Sequence, residues 1–278
     1  MLPARSARFV QNLYRFHSTS SASSVSIDAK EVEKFGKMSA EWADPTGPFS
    51  ALHSLNRVRV PWIVDNVGKG QGSGPARVVD VGSGGGLLSV PLARSGFDVT
   101  GIDATKEAVE AARLSLKVKA LERAGISDRL RFEHTSVEAF CQKPENKAVP
   151  TIFQLLLLPA FDGVIASEIV EHVADLPSFI NSVGALARPG APVFITTMNR
   201  TFLSKVAAIW LAEDILRIVP PGVHDWEKFI TPAEMTGYLE NAGCRVQSIQ
   251  GLKFNPIVNK WSWMESTQVN YGILAVKK

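Results

Sequence analysis

Ala76-Arg77-Val78-Val79-Asp80-Val81-Gly82-Ser83-Gly84-Gly85-Gly86, followed by residues 87–95 and 99–103, reads as strand, glycine turn, helix and second strand. Residues 77–81 are an apolar, β-branched run of strand length, the glycines end it, and the apolar spacing of residues 87–95 suits a helix. Two strands joined through a helix pair in parallel by a right-handed crossover.

The alternation continues outward. Residues 105–121 read as a helix, 130–135 as a third strand, 161–166 as a fourth, 176–186 as a helix, and 192–197 as a fifth strand after the turn Arg188-Pro189-Gly190. Residues 141–160 interrupt the rhythm with Pro144, Pro150 and Pro159 and read as an irregular insertion. Upstream, residues 28–66 read as a helical cover offering Trp42, Phe49, Leu52, Leu55 and Trp62 for packing. Downstream come an amphipathic stretch at 202–219, a helix at 232–242, and strands at 245–254 and 269–276, expected as an antiparallel pair. The expected class is α/β: one domain over residues 28–278 with a doubly wound, Rossmann-like sheet of seven strands.

The 278 residues are 45% hydrophobic and 21% charged, ordinary values that supply a sizeable core. The formal charge of +3 is concentrated at the start: Arg5, Arg8 and Arg15 precede Asp28, the first acid, and without them 27 basic residues face 27 acidic ones. That balance argues against a nucleic-acid partner. Residues 1–27 are rich in Arg and Ser, lack acids, and set Leu2, Phe9, Leu13 and Phe16 among the bases, so they read as a mitochondrial transit peptide. Cys141 and Cys244 form no CxxC pattern and read as reduced packing residues. The apolar run 152–158 is too short to span a bilayer, and Lys205, Glu213, Asp214 and Arg217 interrupt 202–219.

A glycine loop between strand and helix, with an acid about 20 residues on at Asp103, is the arrangement that holds an adenosine-containing ligand. The loop alone equally suits a plain tight turn, and with Asp103 it also suits NAD. Its form, D-V-G-x-G-G-G, resembles the first motif of class I S-adenosylmethionine-dependent methyltransferases, and the polar Ser167 ends the fourth strand where such enzymes line the cofactor pocket. Gly82, Asp103 and Ser167 are expected to converge at the carboxyl edge of the sheet.

Glu168, Glu171 and His172 follow that strand at spacings of three and four, so in a helix they project from one face. Two carboxylates and an imidazole can hold a divalent cation, with Mg²⁺ or Mn²⁺ favoured by the hard donors and zinc also compatible. For a phenolic acceptor the missing step is deprotonation: with a pKa of about 10, the phenolate at neutral pH costs roughly 4 kcal/mol. A cation or His172 acting as general base would each lower that cost, and the spacing fits both. It also fits acids that merely complement a helix N-terminus.

D-V-G-S-G-G-G at 80–86, G-I-D at 101–103, S-E-I-V-E-H-V at 167–173, T-M-N-R at 197–200 and H-D-W-E-K-F-I at 224–230 together resemble the ubiquinone-biosynthesis O-methyltransferases. L-H-S-L-N-R-V-R-V at 52–60 and G-L-K-F-N-P at 251–256 extend the resemblance from about residue 30 to the C-terminus; residues 141–160 have no clear counterpart. The resemblance implies S-adenosylmethionine held by Arg59, Gly82, Asp103 and Ser167, Arg59 pairing with its carboxylate, and Mg²⁺ held by Glu168, Glu171 and His172. It implies polyprenyl dihydroxybenzoate and demethylated ubiquinol as acceptors, and a complex of ubiquinone-pathway proteins on the matrix face of the inner mitochondrial membrane. Residues 201–230 then read as a lid or a peripheral membrane contact, with His224 and Asp225 in a loop that closes over the substrate. Methylation of another small phenol, and a noncatalytic assembly subunit keeping the cofactor as a structural ligand, are the competing readings.

Overall fold

The computed structural model describes residues 26–68, 74–116, 125–143, 161–205 and 226–278. The apolar runs become strands where expected: β1 (Arg77–Val81), β2 (Asp98–Asp103), β3 (Leu130–His134), β4 (Gly163–Ser167) and β5 (Pro192–Met198). They pair in parallel in the order β3-β2-β1-β4-β5. The order reverses between β1 and β4, so a crevice opens beyond the carboxyl ends of those two strands.

Both faces of the sheet are covered, which is why its strands are apolar almost without alternation. Val79, Val81, Val164, Ala166, Val193 and Ile195 pack on one face, and Val78, Ile165 and Phe194 on the other. Helices α1 (Ala29–Lys37), α2 (Ser50–Val67), α3 (Ser89–Arg94) and α4 (Lys106–Leu116) precede β3. After it come α5 (Val137–Gln142), α6 (Leu176–Leu186), α7 (Phe202–Lys205) and α8 (Pro232–Asn241). Local chemistry sets the start of α8: Thr231 and Glu234 form a reciprocal capping box and Pro232 enters the first turn, where no backbone donor is needed.

Among the described residues the sheet has eight strands rather than the expected seven. Beyond β5 lie β8 (Asn270–Lys277), β6 (Cys244–Asn255) and β7 (Lys260–Met264), all antiparallel, so the C-terminal pair is a trio. The additional strand is β7, whose alternating Trp261 and Trp263 find partners in α2. Trp261 clusters with Leu55 and Leu252, and Trp263 meets Trp62 edge-on at 5.1 Å. A run of five residues acquires strand character only through that distant surface.

Of the insertion expected at 141–160, Cys141 and Gln142 instead close α5, and residues 144–160 lie outside the described residues, as do the helix end at 117–121, the stretch 206–219 of the amphipathic segment, and His224 and Asp225. Among the described residues no helix is long and apolar enough to cross a membrane.

Candidate active site

A cavity of about 600 Å³ occupies the switch point. Gly82, Gly84 and Asp103 line it at the ends of β1 and β2, and Glu168, Glu171 and His172 line it beyond β4. Glu31 and Phe35 of α1, together with Trp42, border it from the N-terminal cover, while Leu252, Trp261 and Met264 belong to the β6–β7 hairpin wall. Arg59 and Ser167 stand behind these walls. The Arg59 guanidinium is buried, donating from Nε to Asn56 Oδ1 and from Nη1 to Ser167 Oγ, each at 2.8 Å.

The glycine loop owes its path to the missing side chain at Gly82. Its φ is +76°, and a Cβ there would come within 2.5 Å of Ile169 Cγ1, so Ile169 closes directly onto the loop. Asp103 ties the loop to β2: Oδ2 accepts from the Gly84 amide at 2.8 Å and Oδ1 from the Thr105 amide at 2.7 Å. Burial raises its pKa against the lowering effect of those two amides. Trp42 lies over Gly84 and Gly85 and stacks on Phe49 at 3.9 Å. Its indole Nε1 is buried and has no hydrogen-bond partner among the described residues.

The expectation that Glu168, Glu171 and His172 share one helical face does not hold. Glu168 has φ +57°, the left-handed region, and the chain then makes only a short 3₁₀ turn, Val170–His172. The reason is the exit from β4: the Glu168 amide donates to Thr196 O at 2.9 Å, which continues the strand contact and forces the turn at Glu168 itself. The two carboxylates consequently address consecutive residues of β5. Glu168 Oε1 accepts from Thr196 Oγ1 at 2.7 Å and Glu171 Oε2 from Thr197 Oγ1 at 2.8 Å. Because successive strand residues point to opposite faces, the threonines reach the carboxylates from the two sides of the sheet.

His172 turns the other way. Its Nδ1 lies 3.0 Å from Glu31 Oε2, and the Phe35 ring stands edge-on to it at 5.0 Å. Burial would raise the pKa of Glu31, but the hydrogen bond from His172 and the ammonium groups of Lys34 and Lys228 hold it below the ordinary carboxylate value. As the side chains stand, no group of three or more His, Cys, Asp or Glu among the described residues is arranged to hold a metal ion.

A directed hydrogen-bond chain feeds Glu168. With that carboxylate ionised, Thr196 spends its one hydroxyl proton on it, so in the 2.6 Å contact between Ser167 Oγ and Thr196 Oγ1 the serine donates. Ser167 in turn accepts from Arg59. Even so, burial and the neighbouring Glu171 push the Glu168 pKa up to about 7. The folded state then keeps a proton that the unfolded chain has already released between its ordinary 4.5 and about 7, so raising the pH through that window removes stability. Melting of the ligand-free protein is expected to fall by several degrees from pH 5 to pH 7.5, and Glu168→Gln to flatten that slope. An unchanged slope in the variant would show that Glu168 is ionised throughout.

Residues 38–249 match a family model described as a methyltransferase domain. The chain is 38% identical over 258 residues to the ubiquinone biosynthesis O-methyltransferase of Methylobacterium nodulans, covering 90% of this chain and 95% of that protein. It is 36% identical over 264 residues to the mitochondrial ubiquinone biosynthesis O-methyltransferase of Homo sapiens, covering 92% of this chain and 67% of that one. Among solved structures, it resembles a SAM-dependent methyltransferase from Aquifex aeolicus at TM-score 0.54 and 17% identity, covering 86% of this chain and 98% of that one. Magnesium protoporphyrin IX methyltransferase from Synechocystis, with SAM bound, follows at TM-score 0.51 and 16% identity, covering 82% and 81%. These two likenesses concern the fold.

Proposed function

Because the chain belongs to the ubiquinone-biosynthesis O-methyltransferase family, we propose that it methylates catechol-type hydroxyls of a polyprenyl dihydroxybenzoate and of demethylated ubiquinol. The observation that carries this reading is the meeting of these groups at one cavity: a glycine loop with Asp103 at one end, two carboxylates and an imidazole beside it, and an otherwise largely apolar wall that includes Phe35, Leu52, Phe179, Leu252, Trp261 and Met264. The polar end suits cofactor and reacting hydroxyl, and the apolar wall suits an isoprenoid tail.

S-adenosylmethionine supplies an activated methyl on a sulfonium centre, so the protein's task is to bind, align and deprotonate. Gly82 lets the backbone approach the cofactor closely, and Asp103, already fixed by two amides, presents its remaining lone pairs to ribose hydroxyls. Arg59 and Ser167 support this end from behind the wall and keep Glu168 in place. His172, held at Nδ1, has Nε2 left to take the proton of the acceptor hydroxyl.

Mg²⁺ at Glu168, Glu171 and His172 belongs to the same proposal. The donor set is that of a hard divalent cation, and the Glu168 carboxyl, whose pKa burial and the neighbouring Glu171 push up to about 7, is the observation that supports it. A cation there would stabilise the developing oxyanion. Methyl transfer to a short-chain prenyl dihydroxybenzoate, with EDTA and then with Mg²⁺ restored, tests both parts. Loss and recovery of product is the expected result. Product that persists in EDTA would leave His172 as the base without a metal, and cofactor binding without product under any condition would favour another phenol or an assembly role.

The location proposed is the matrix side of the inner mitochondrial membrane, peripherally and alongside other ubiquinone-synthesis proteins. The acid-free, Arg-rich residues 1–27 and the exposed Phe202 and Leu203 at the start of the amphipathic stretch support it. Import of the full chain into isolated mitochondria, followed by carbonate extraction of the membranes, is the corresponding test; recovery of all import product in the matrix fraction before extraction would rule out the membrane contact.

A further inference from the structure

Among the described residues, Glu31 supplies the side-chain hydrogen bond that holds the ring of His172. It sits on α1, 141 positions earlier in the chain, and its Oε2 lies 3.0 Å from His172 Nδ1. The surroundings hold it there. Lys34 Nζ is 3.7 Å from the same oxygen, and Lys228 Nζ is 3.8 Å from Oε1 while donating to Asp28 Oδ2 at 2.8 Å. Ile27 pairs as an antiparallel bridge with Val173, so the segment before α1 is docked on the residue after His172. Phe35, one turn along α1, closes the ring's edge.

An imidazole free to rotate presents either nitrogen, in either tautomer, to the cavity. A neutral ring whose Nδ1–H is given to a carboxylate has Nε2 unprotonated and available. We propose that Glu31 is a positioning residue for methyl transfer: it orients His172 and fixes its tautomer, so that Nε2 is the nitrogen offered to the acceptor hydroxyl or to a cation. The inference rests on His172 acting at the reacting oxygen. It also gives the N-terminal cover a share in the chemistry, because the catalytic ring is set only when α1 is seated.

Outer partners of working histidines typically contribute about 10- to 100-fold in activity, and that is the loss expected in kcat for Glu31→Gln, with the KM for S-adenosylmethionine within about twofold of the parent. Glu31→Asp keeps the charge beside Lys34 and Lys228 but withdraws the carboxylate from the ring, and is expected to lose kcat similarly. In a His172→Asn background both substitutions should change the residual rate by no more than about twofold, since the ring through which they act is gone. Nitrogen-15 spectra of histidine-labelled protein, with His172 assigned by the same variant, should show the Nδ1–H tautomer in the parent and its loss in Glu31→Asp.

Parent-like kcat in both Glu31 variants, or an equal loss with and without His172, would overturn the inference while leaving the function of His172 intact. Full activity in His172→Asn alone would instead remove the premise and the inference together.

Discussion

Glu168→Gln combined with Glu171→Gln is expected to lower methyl transfer by about 10²- to 10⁴-fold, while the affinity for S-adenosylhomocysteine changes little and the ligand-free protein melts at a higher temperature. The three effects have separate origins. Glutamine keeps an oxygen for the Thr196 and Thr197 hydroxyls, so the local hydrogen bonds survive. What disappears is a pair of negative charges at the acceptor end of the cavity, and with it any means of stabilising a cation or steering a proton there. Burial and the neighbouring Glu171 oppose the ionisation of Glu168, so removing the charges relieves the folded state. Rate assays, calorimetric titration and thermal melts on one preparation separate these outcomes. Equal losses of rate and cofactor affinity, with no gain in melting temperature, would make the carboxylates part of the scaffold.

Gly82→Ala is expected to damage both stability and cofactor binding. The +76° φ costs an L-residue about 1–3 kcal/mol, and the added Cβ meets Ile169 Cγ1 at 2.5 Å. Ile169 is the residue after Glu168, so pushing it away displaces the carboxylate end of the cavity along with the glycine loop. Misplacement by about 1 Å is enough for a loss of about 10²-fold in rate. Weaker S-adenosylhomocysteine binding together with a lower melting point is the outcome to look for. A variant that binds cofactor normally would mean that the loop relaxes without disturbing the site. At Gly96, also at positive φ but with no atom within 4 Å of an added Cβ, alanine should bring backbone strain and no loss of binding.

The parallel sheet and the glycine loop were legible because their signals are local: strand-length apolar runs, a glycine cluster at a strand end and an acid one strand later. Gly82, Asp103, Glu168, Glu171 and His172 do meet at one cavity, as their places at strand ends require. The helical spacing of the last three misled, because spacing carries no information about a left-handed residue at the exit of a strand. Thr196 read only as the end of β5, and Thr197 as that end and the start of the T-M-N-R match; their contacts with the carboxylates appear once parallel pairing brings β5 beside β4. Trp42 and Glu31 are contributed by the cover, whose packing on the sheet has no counterpart in any local pattern. β7 was missed for the same reason: its tryptophans are explained by α2, not by their neighbours in the chain.

The contact between α2 and the hairpin has a consequence for how the molecule is made. Ser54 Oγ donates to Asn259 Oδ1 at 2.7 Å across 205 positions, and Trp261 Nε1 to Ala51 O at 2.9 Å across 210. A ribosome adding about 5–20 residues per second leaves the inner face of α2 without this partner for about 10–40 s. During that interval Leu55, fully buried in the finished protein, is exposed to whatever else binds apolar surface. The hairpin wall of the cavity therefore forms late, and a nascent chain stalled between β5 and the hairpin has its five parallel strands but presents an open, adhesive α2 to chaperones.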